Sequence, residues 1–499
     1  MNLSATSVPK TYCNPLALPS YQRGVACSKG SYSGTDFREM ADPAVLYFEH
    51  RWYLFPSAGM LWHSDDMVDW KFHTIEPFAP GYAPAVAVKG SWIYLSFSWD
   101  ASEIWRARHP FGPWERLGKQ GCDDDGNRTF LRDHNDRPVR WGDPCLFVDD
   151  DQSMYCYCNL ARRKRQDEDC PWKLCSDEGA IFGVRLCDDD PSRFAEQPVK
   201  LLTFDPDIIW ERRGEFNQSS SHPVIEGAWM NKLAGRYYLQ YSANCTEFRN
   251  YAVGCAVSDS PLSNFTRQKH NPILIHKGGL INGCGHHSIV EGPGATLWSF
   301  YTTLIGINHR YERRIGMDPA GLDANGELFI SGPTETPQIA PGLVNDPEAL
   351  NGLNLLPLSV NCLVSASSHS EGRKPEYAID NSIRTWWRAA DSSNPQWLEL
   401  DLEDDFLVHS ARIIFGDVGL NYKRSILPAP YCYRILASTD GKKWEILCDK
   451  TGNKDEKHIV YDTFPLNGPF RFIRLEIIQA PAGMEIAVIE FTVFGLPQN

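Results

Sequence analysis

The sequence predicts an all-β protein, a five-bladed β-propeller followed by a β-sandwich of the jelly-roll type. Three observations carry this prediction. A hairpin pattern recurs five times between residues 42 and 303. A second set of strands follows after residue 359, beyond a stretch rich in Pro and Gly. No run of useful length shows the 3.6-residue periodicity of an amphipathic helix.

The five copies read DPAVLYFEHRWYLFPSAG from Asp42, APAVAVKGSWIYLSFSWD from Ala83, DPCLFVDDDQSMYCYCNL from Asp143, EGAWMNKLAGRYYLQYSAN from Glu226 and HHSIVEGPGATLWSFYTT from His286. Each is two short alternating runs split by turn residues, the signature of a β-hairpin. Further strand candidates follow most copies, including WKFHTI from Trp70, WERL from Trp114 and YAVGCAVSD from Tyr251. Five units of about four strands each fit a propeller; two stacked sandwiches also use many short strands and remain the competing reading. The spacing between copies, about 40 to 80 residues, is looser than that of strict repeats, so insertions are expected. The charged run from Ala161 and the segment around Arg212 are read as loops on one rim.

In a propeller the first strand of each blade lines the central channel. Residues at the start of these strands therefore converge from distant parts of the chain. Asp42, Asp143 and Glu226 occupy that place. Glu226 lies between Val224-Ile225 and Gly227-Ala228-Trp229, where a carboxyl group reads as buried; burial raises a carboxyl pKa and makes a candidate proton donor. An ion pair with an arginine inside a sheet would be the structural alternative for Glu226, and turn punctuation before proline the alternative for Asp42 and Asp143.

Residues 1–335 are assigned to the propeller, 336–357 to a connector and 358–499 to the sandwich. The strands of the last unit are QWLELDL, SARIIFGDV, YRILASTDGKKWEIL, KHIVYDTF, FRFIRLEII and AVIEFTVFG. Net charge is −14 and no basic run tracks phosphates, which argues against nucleic acid and anionic membrane as partners. No stretch reaches the length of a membrane span, and MNLSATSVPK lacks the apolar centre of a signal peptide. The expected location is intracellular, or secreted or periplasmic with a leader removed. The 15 Cys are scattered and read as small buried hydrophobes with one or two disulfides. The aromatic content of 12% suits strands and also a cleft that stacks sugar rings on flat faces.

On these residues a family resemblance rests. ADPAVLY at Asp42, WGDPCLF at Asp143 and VIEGAWM at Glu226 resemble the glycoside hydrolase family 43 propeller, which places an Asp in blade one, an Asp in blade three and a Glu in blade four. GCGHHSIV from Gly283 and ERRIGMDP from Glu312 resemble two further motifs of that family and imply His286 and Arg313 as substrate contacts. Tyr82-Ala83-Pro84-Ala85 departs from the aromatic-Ala-Pro-Asp sequence of many members. The resemblance implies an inverting exo-glycoside hydrolase with Asp42 as general base, Glu226 as general acid and Asp143 as the residue that raises and orients the acid. The two principal carboxyl groups are then expected about 6.5–9.5 Å apart. The substrate expected is an oligosaccharide or polysaccharide carrying terminal α-L-arabinofuranose, with β-xylosides and galactosides or galactofuranosides as alternatives, and a lectin-like protein as the alternative without catalysis. No catalytic cofactor is implied. Residues 359–499 resemble a discoidin-like, F5/8 type C carbohydrate-binding module through AIDNSIRTWW and IEFTVFG, which implies a structural Ca²⁺ held by Asp380, Thr385 and Glu490.

Overall fold

A computed structural model describes the chain except residues 1–8, 25–35, 58–59, 77, 79–80, 99–101, 124–125, 161–178, 222, 307, 344–352, 394 and 499. The five hairpins form the first two strands of five four-stranded antiparallel sheets, each with its strands in sequence order. The innermost strands are Ala41–Phe48, Tyr82–Lys89, Trp141–Val148, Ile225–Leu233 and Gly285–Glu291. WKFH, ER of WERL, and AVGCAVS supply outer strands of blades 1, 2 and 4, as read from the sequence. The charged run 161–173 lies outside the described residues.

Five hydrophobic cores, one between each pair of neighbouring blades, distinguish this arrangement from two sandwiches. Phe55 of blade 1 packs with Val86 and Leu95 of blade 2, and Tyr94 of blade 2 with Leu146 and Met154 of blade 3. Tyr157 of blade 3 meets Met230 and Leu239 of blade 4, and Val253 of blade 4 meets Ile289 and Tyr301 of blade 5. The ring closes where Phe300 and Ile315 of blade 5 meet Leu54 and Trp62 of blade 1. Alternation of side chains along each strand serves both neighbouring cores at once. Each fully buried large apolar side chain contributes about 1.5–3 kcal/mol relative to exposure. The N-terminal segment reinforces the closure: the Asn14 amide donates to the Met317 carbonyl and accepts the Met317 N–H at 3.0 and 2.9 Å.

The C-terminal unit is built on two strands that the sequence divides and the structure joins. QWLELDL and SARIIF are one strand, Gln396–Phe415, and KHIVYDTF and FRFIRLEII are one strand, Ile459–Gln479. Their mutual pairing slips between Asp401 and Phe406 and again before Ser410. Such irregularities let one strand turn a corner and serve both faces of a sandwich. The unit docks on the propeller through Ile383, Ile414, Ile459 and Ile489, which pack against Leu280, Leu304 and Ile305. The cysteines among the described residues are free thiols, so the expected disulfides are not found there. Cys156 and Cys158 lie in the same inter-blade core, as their spacing on one strand requires. No helix among the described residues is long and apolar enough to cross a membrane.

Candidate active site

Each innermost strand breaks register once near its start, between Ala41 and Ala44, Tyr82 and Ala85, Gly142 and Cys145, Glu226 and Trp229, and Gly285 and His287. Inside each break one residue takes a left-handed backbone: Asp42 (φ 51°), Ala83 (42°), Asp143 (46°), Gly227 (58°) and His286 (38°). Four of these residues cannot relieve the conformation as glycine can, and local strain of this kind is retained where the surroundings hold it. A hydroxyl from the second strand of the preceding blade does so, accepting the N–H freed by the bulge. Thr302, Ser57, Ser98 and Ser242 cap Asp42, Ala83, Asp143 and His286 at 2.7–2.9 Å. Between blades 3 and 4 the corresponding residue is Asn159, whose amide donates to the Ile225 carbonyl at 2.8 Å. Bulges re-aim side chains, and here they turn two carboxylates and an imidazole toward a common centre.

Asp42 is almost fully buried, with 3% of its side chain exposed. Its Oδ2 accepts from Ser57 at 2.6 Å, and its Oδ1 from Arg313 Nη1 at 3.1 Å and from Thr302 at 3.5 Å. The His286 ring lies between the two aspartates, with Nδ1 3.5 Å from Asp42 Oδ1 and 3.8 Å from Asp143 Oδ2. Burial by itself would push the Asp42 carboxyl up, but the Arg313 guanidinium, His286 and the two hydroxyls outweigh it and hold the group below its ordinary value. The opposite balance holds at Asp143. Burial pushes it up, His286 and Ser98 oppose this, and the nearby Asp42 adds to the rise. Two acids of the same chemical type are thus driven apart, which is the usual mark of divided roles.

Arg313, expected as a substrate contact, is itself buried and committed to protein partners. It binds Asp42, Glu39 through Nε at 3.0 Å, the Tyr82 hydroxyl at 2.7 Å and Thr246 at 2.8 Å. Its observed place is that of a buried counter-charge to Asp42 and Glu39. Glu39 and Thr246 were not singled out by sequence, because their only signal is their long-range contact with Arg313, and Tyr82 was noted only as the aromatic of its Ala-Pro segment.

Glu226 departs in two ways from the reading of the copies. The left-handed residue of blade 4 is Gly227, so Glu226 stands one residue before the position held by Asp42 and Asp143. Its side chain is half-buried rather than enclosed. Its Oε1 accepts from the Tyr251 hydroxyl at 2.9 Å. Burial, then the charge of Glu226, hold the Tyr251 phenol well above its ordinary value, and Asp42 and Asp143 add to the rise. Glycine is needed at 227 and 285 for space as well. A Cβ at 227 would lie 2.9 Å from His286 Cγ, and one at 285 would lie 2.2 Å from the Tyr251 ring.

In the C-terminal unit, Thr385 donates to Asp380 Oδ2 at 2.8 Å, and Glu490 Oε2 accepts the Asn381 N–H at 3.1 Å. Burial first, opposed by Arg412 and assisted by Asp380, pushes Glu490 up to about 8. Two carboxylates and a hydroxyl make an oxygen-only donor set, which suits a hard cation, and a cation there would offset the mutual repulsion. A separate trio, His270, Asp323 and Glu327, lies close enough to share an ion, but its carboxylates already accept backbone N–H groups of Lys269, Asn325 and Glu327 itself.

Residues 38–328 match glycosyl hydrolases family 43, and residues 364–490 match the F5/8 type C domain. The chain is similar to a beta-xylosidase of Xylanibacter ruminicola, 28% identical over 30% of this chain and 46% of the relative. It is also similar to a xylosidase/arabinosidase of Bacteroides ovatus, 24% identical over 58% of this chain and 94% of the relative. A third relative is xylosidase/arabinosidase 43A of Humicola insolens, 33% identical over 38% of this chain and 59% of the relative. The alignment thus spans about half the length of the first relative and nearly all of the second.

Proposed function

The chain belongs to glycosyl hydrolases family 43 and carries that glycoside hydrolase domain over residues 38–328; from this premise we propose that the protein is an inverting exo-glycosidase releasing terminal α-L-arabinofuranose from oligosaccharides or plant polysaccharide side chains. The observation that supports this reading best is the contrast between Asp42, buried against the Arg313 guanidinium and held below its ordinary pKa, and Glu226, half-buried beside the Tyr251 hydroxyl. Asp42 acts as general base. Its Oδ1 accepts from both Arg313 and Thr302, whereas Oδ2 accepts only from Ser57 and retains a lone pair that can take a proton from water. The water oxygen bonds to the anomeric carbon as the glycosidic C–O bond breaks, and Glu226 gives its proton to the departing oxygen. Asp143, beside His286, supplies the negative charge that keeps the acid protonated and oriented. Arg313 holds the base ionised, and His286 spans the two aspartates beneath the sugar.

A β-xyloside is the second reading, favoured by the similarity to a beta-xylosidase and to two xylosidase/arabinosidases. In the C-terminal unit, Asp380, Thr385 and Glu490 would hold a structural Ca²⁺, which fixes two loops and takes no part in the chemistry. The test is turnover of aryl α-L-arabinofuranoside, β-D-xyloside and galactofuranoside, with the first-formed anomer read by NMR. An arabinofuranoside preference with inverted product is expected. A product of retained configuration, or turnover of none of the three, would overturn the reading.

A further inference from the structure

The two segments beside the base, Arg38–Glu39 and Arg313-Arg314, each send one side chain to the catalytic centre and the other to the C-terminal unit. Glu39 and Arg313 bind each other and, through Arg313, Asp42. Arg38 turns the other way. Its Nη2 lies 2.6 Å from Asp417 Oδ2, its Nε 2.8 Å from the same oxygen, and its Nη1 binds Glu456. Arg314 donates to His458 Nδ1 at 2.9 Å and to the Arg38 carbonyl at 2.8 Å. Asp417 is completed by the Tyr431 hydroxyl at 3.0 Å. Asp417, Tyr431, Glu456 and His458 all belong to the C-terminal unit.

Arg38 and Arg314 are buried, with side chains 1% and 0% exposed. Two enclosed guanidinium groups repel each other unless carboxylates separate them, and breaking a buried ion pair leaves an uncompensated charge. The carboxylates that do so are Asp417 and Glu456 on one side and Glu312 on the other, 3.7 Å from Arg314. His458 cannot add a third positive charge, because burial and Arg314 hold it well below its ordinary value.

From this geometry we infer that Asp417 is a positioning residue of the hydrolytic site, fixing Arg38 and with it the adjoining Glu39 that holds Arg313 against Asp42. The inference rests on the reading of Asp42 as base. It makes the C-terminal unit a working part of the active site rather than an appendage that only binds sugar. Loss of the Asp417 charge frees Arg38, and the displacement passes along one peptide to Glu39. The groups facing Asp42 are Arg313, His286, Asp143, Glu39, Tyr251 and the hydroxyls of Ser57 and Thr302. Of these, Arg313 and Glu39 are the ones tied to Arg38, so the coupling reaches Asp42 through them.

The experiment uses the full chain with Asp417→Asn, Asp417→Glu and the milder Glu456→Gln, and follows kcat and KM of an aryl glycoside against pH. In Asp417→Asn, kcat per folded molecule is expected to fall about tenfold with little change in KM. The acid limb of kcat/KM is expected to move upward by at least about half a unit, because the counter-charge of the base is loosened. Asp417→Glu should recover part of both effects, and Glu456→Gln should show smaller shifts of the same sign. A lowered melting temperature with kcat and the acid limb at wild-type values would reduce Asp417 to a structural role and overturn the inference. If Asp417→Asn does not fold, a wild-type acid limb in Glu456→Gln does the same. Asp42→Asn distinguishes the two ideas. Retained turnover in that variant removes the base itself and the inference with it, whereas an inactive Asp42→Asn beside unaffected Asp417 and Glu456 variants removes the inference alone.

Discussion

Replacing Arg313 by Met should turn Asp42 from a carboxyl group held below its ordinary pKa into one held above it. Arg313 Nη1 lies 3.1 Å from Asp42 Oδ1, and its Nε binds Glu39 at 3.0 Å, so one substitution removes the cation from two buried carboxylates. An opposite charge this close lowers a carboxyl pKa by about 1–3 units, and burial dominates once it is gone. The acid limb of kcat/KM should therefore rise by about 1–3 units, which corresponds to about 1.4–4 kcal/mol of differential stabilisation. Stability should follow with a definite sign. In the wild type the lowered pKa of Asp42 contributes stability present above its unfolded value and lost as pH falls through the folded one. In Arg313→Met the folded pKa lies above the unfolded one, so protons bind preferentially to the native state and the variant should gain stability on acidification toward about pH 5. A pH series of aryl glycoside turnover and thermal melts reads both effects. Ser57→Ala provides a milder control, since it removes the 2.6 Å hydrogen bond to Oδ2 and leaves the cation; its effect should have the same direction and smaller size. An unmoved acid limb in both variants, with turnover reduced, would refute the idea that these groups set the ionisation of Asp42.

Glu226→Gln should depend on the leaving group: activated aryl glycosides need little protonation and should lose far less kcat/KM than natural linkages, and equal losses would remove Glu226 as donor. Asp42→Asn should keep the fold and lose several orders of magnitude in turnover on every substrate, since the amide cannot accept a proton from water. Gly227→Ala, which forces a Cβ to within 2.9 Å of His286 Cγ at a backbone φ of 58°, should cost about 1–3 kcal/mol of stability and lower kcat, as read by melts and kinetics together. Chelation should lower the melting temperature of the C-terminal unit if Asp380, Thr385 and Glu490 hold Ca²⁺, and a ligand at a hundred times its Kd accounts for about 2.7 kcal/mol; an unchanged melt with no metal by elemental analysis removes the site.

The propeller was legible because its signals are local. Period-2 alternation, turn residues and an acid or small residue ahead of each apolar run are all visible within 20 residues, and Asp42, Asp143 and His286 share the bulge position to which those signals assign them. Contacts made only by folding were not legible. Glu39 and Arg313 are 274 residues apart, and Arg38 and Asp417 are 379 apart, so no local pattern marks either pair. The long strands of the C-terminal unit were read as separate pieces because Glu403, Asp404 and Asp405 interrupt the alternation of one, and the segment from Pro465 to Pro469, with two prolines and a glycine, that of the other. The sequence also aligned Glu226 with the two aspartates. Only the register of blade 4 shows that Gly227 holds their position.

That offset bears on why the acids differ in kind. A residue at the bulge is drawn inward, and its N–H is capped by a hydroxyl of the preceding blade; a short side chain there reaches the imidazole, as Asp42 and Asp143 do, and Asp42 reaches the enclosed cation as well. A base that must be ionised benefits from this enclosure because Arg313 is enclosed with it. A proton donor has to reach the oxygen of a departing group, which lies toward the open side and varies from substrate to substrate. A longer side chain placed one residue earlier, half-open and steadied by the Tyr251 hydroxyl at 2.9 Å, meets that requirement. Moving the acid onto the bulge, by Glu226→Gly with Gly227→Glu, would keep composition and net charge but set the carboxyl against His286, where Gly227 already lies in close contact. On the proposed assignment of Glu226 as donor, such an exchange should abolish turnover of natural linkages even if the protein folds, because that assignment depends on the position relative to the bulge and not on the presence of a third carboxyl group.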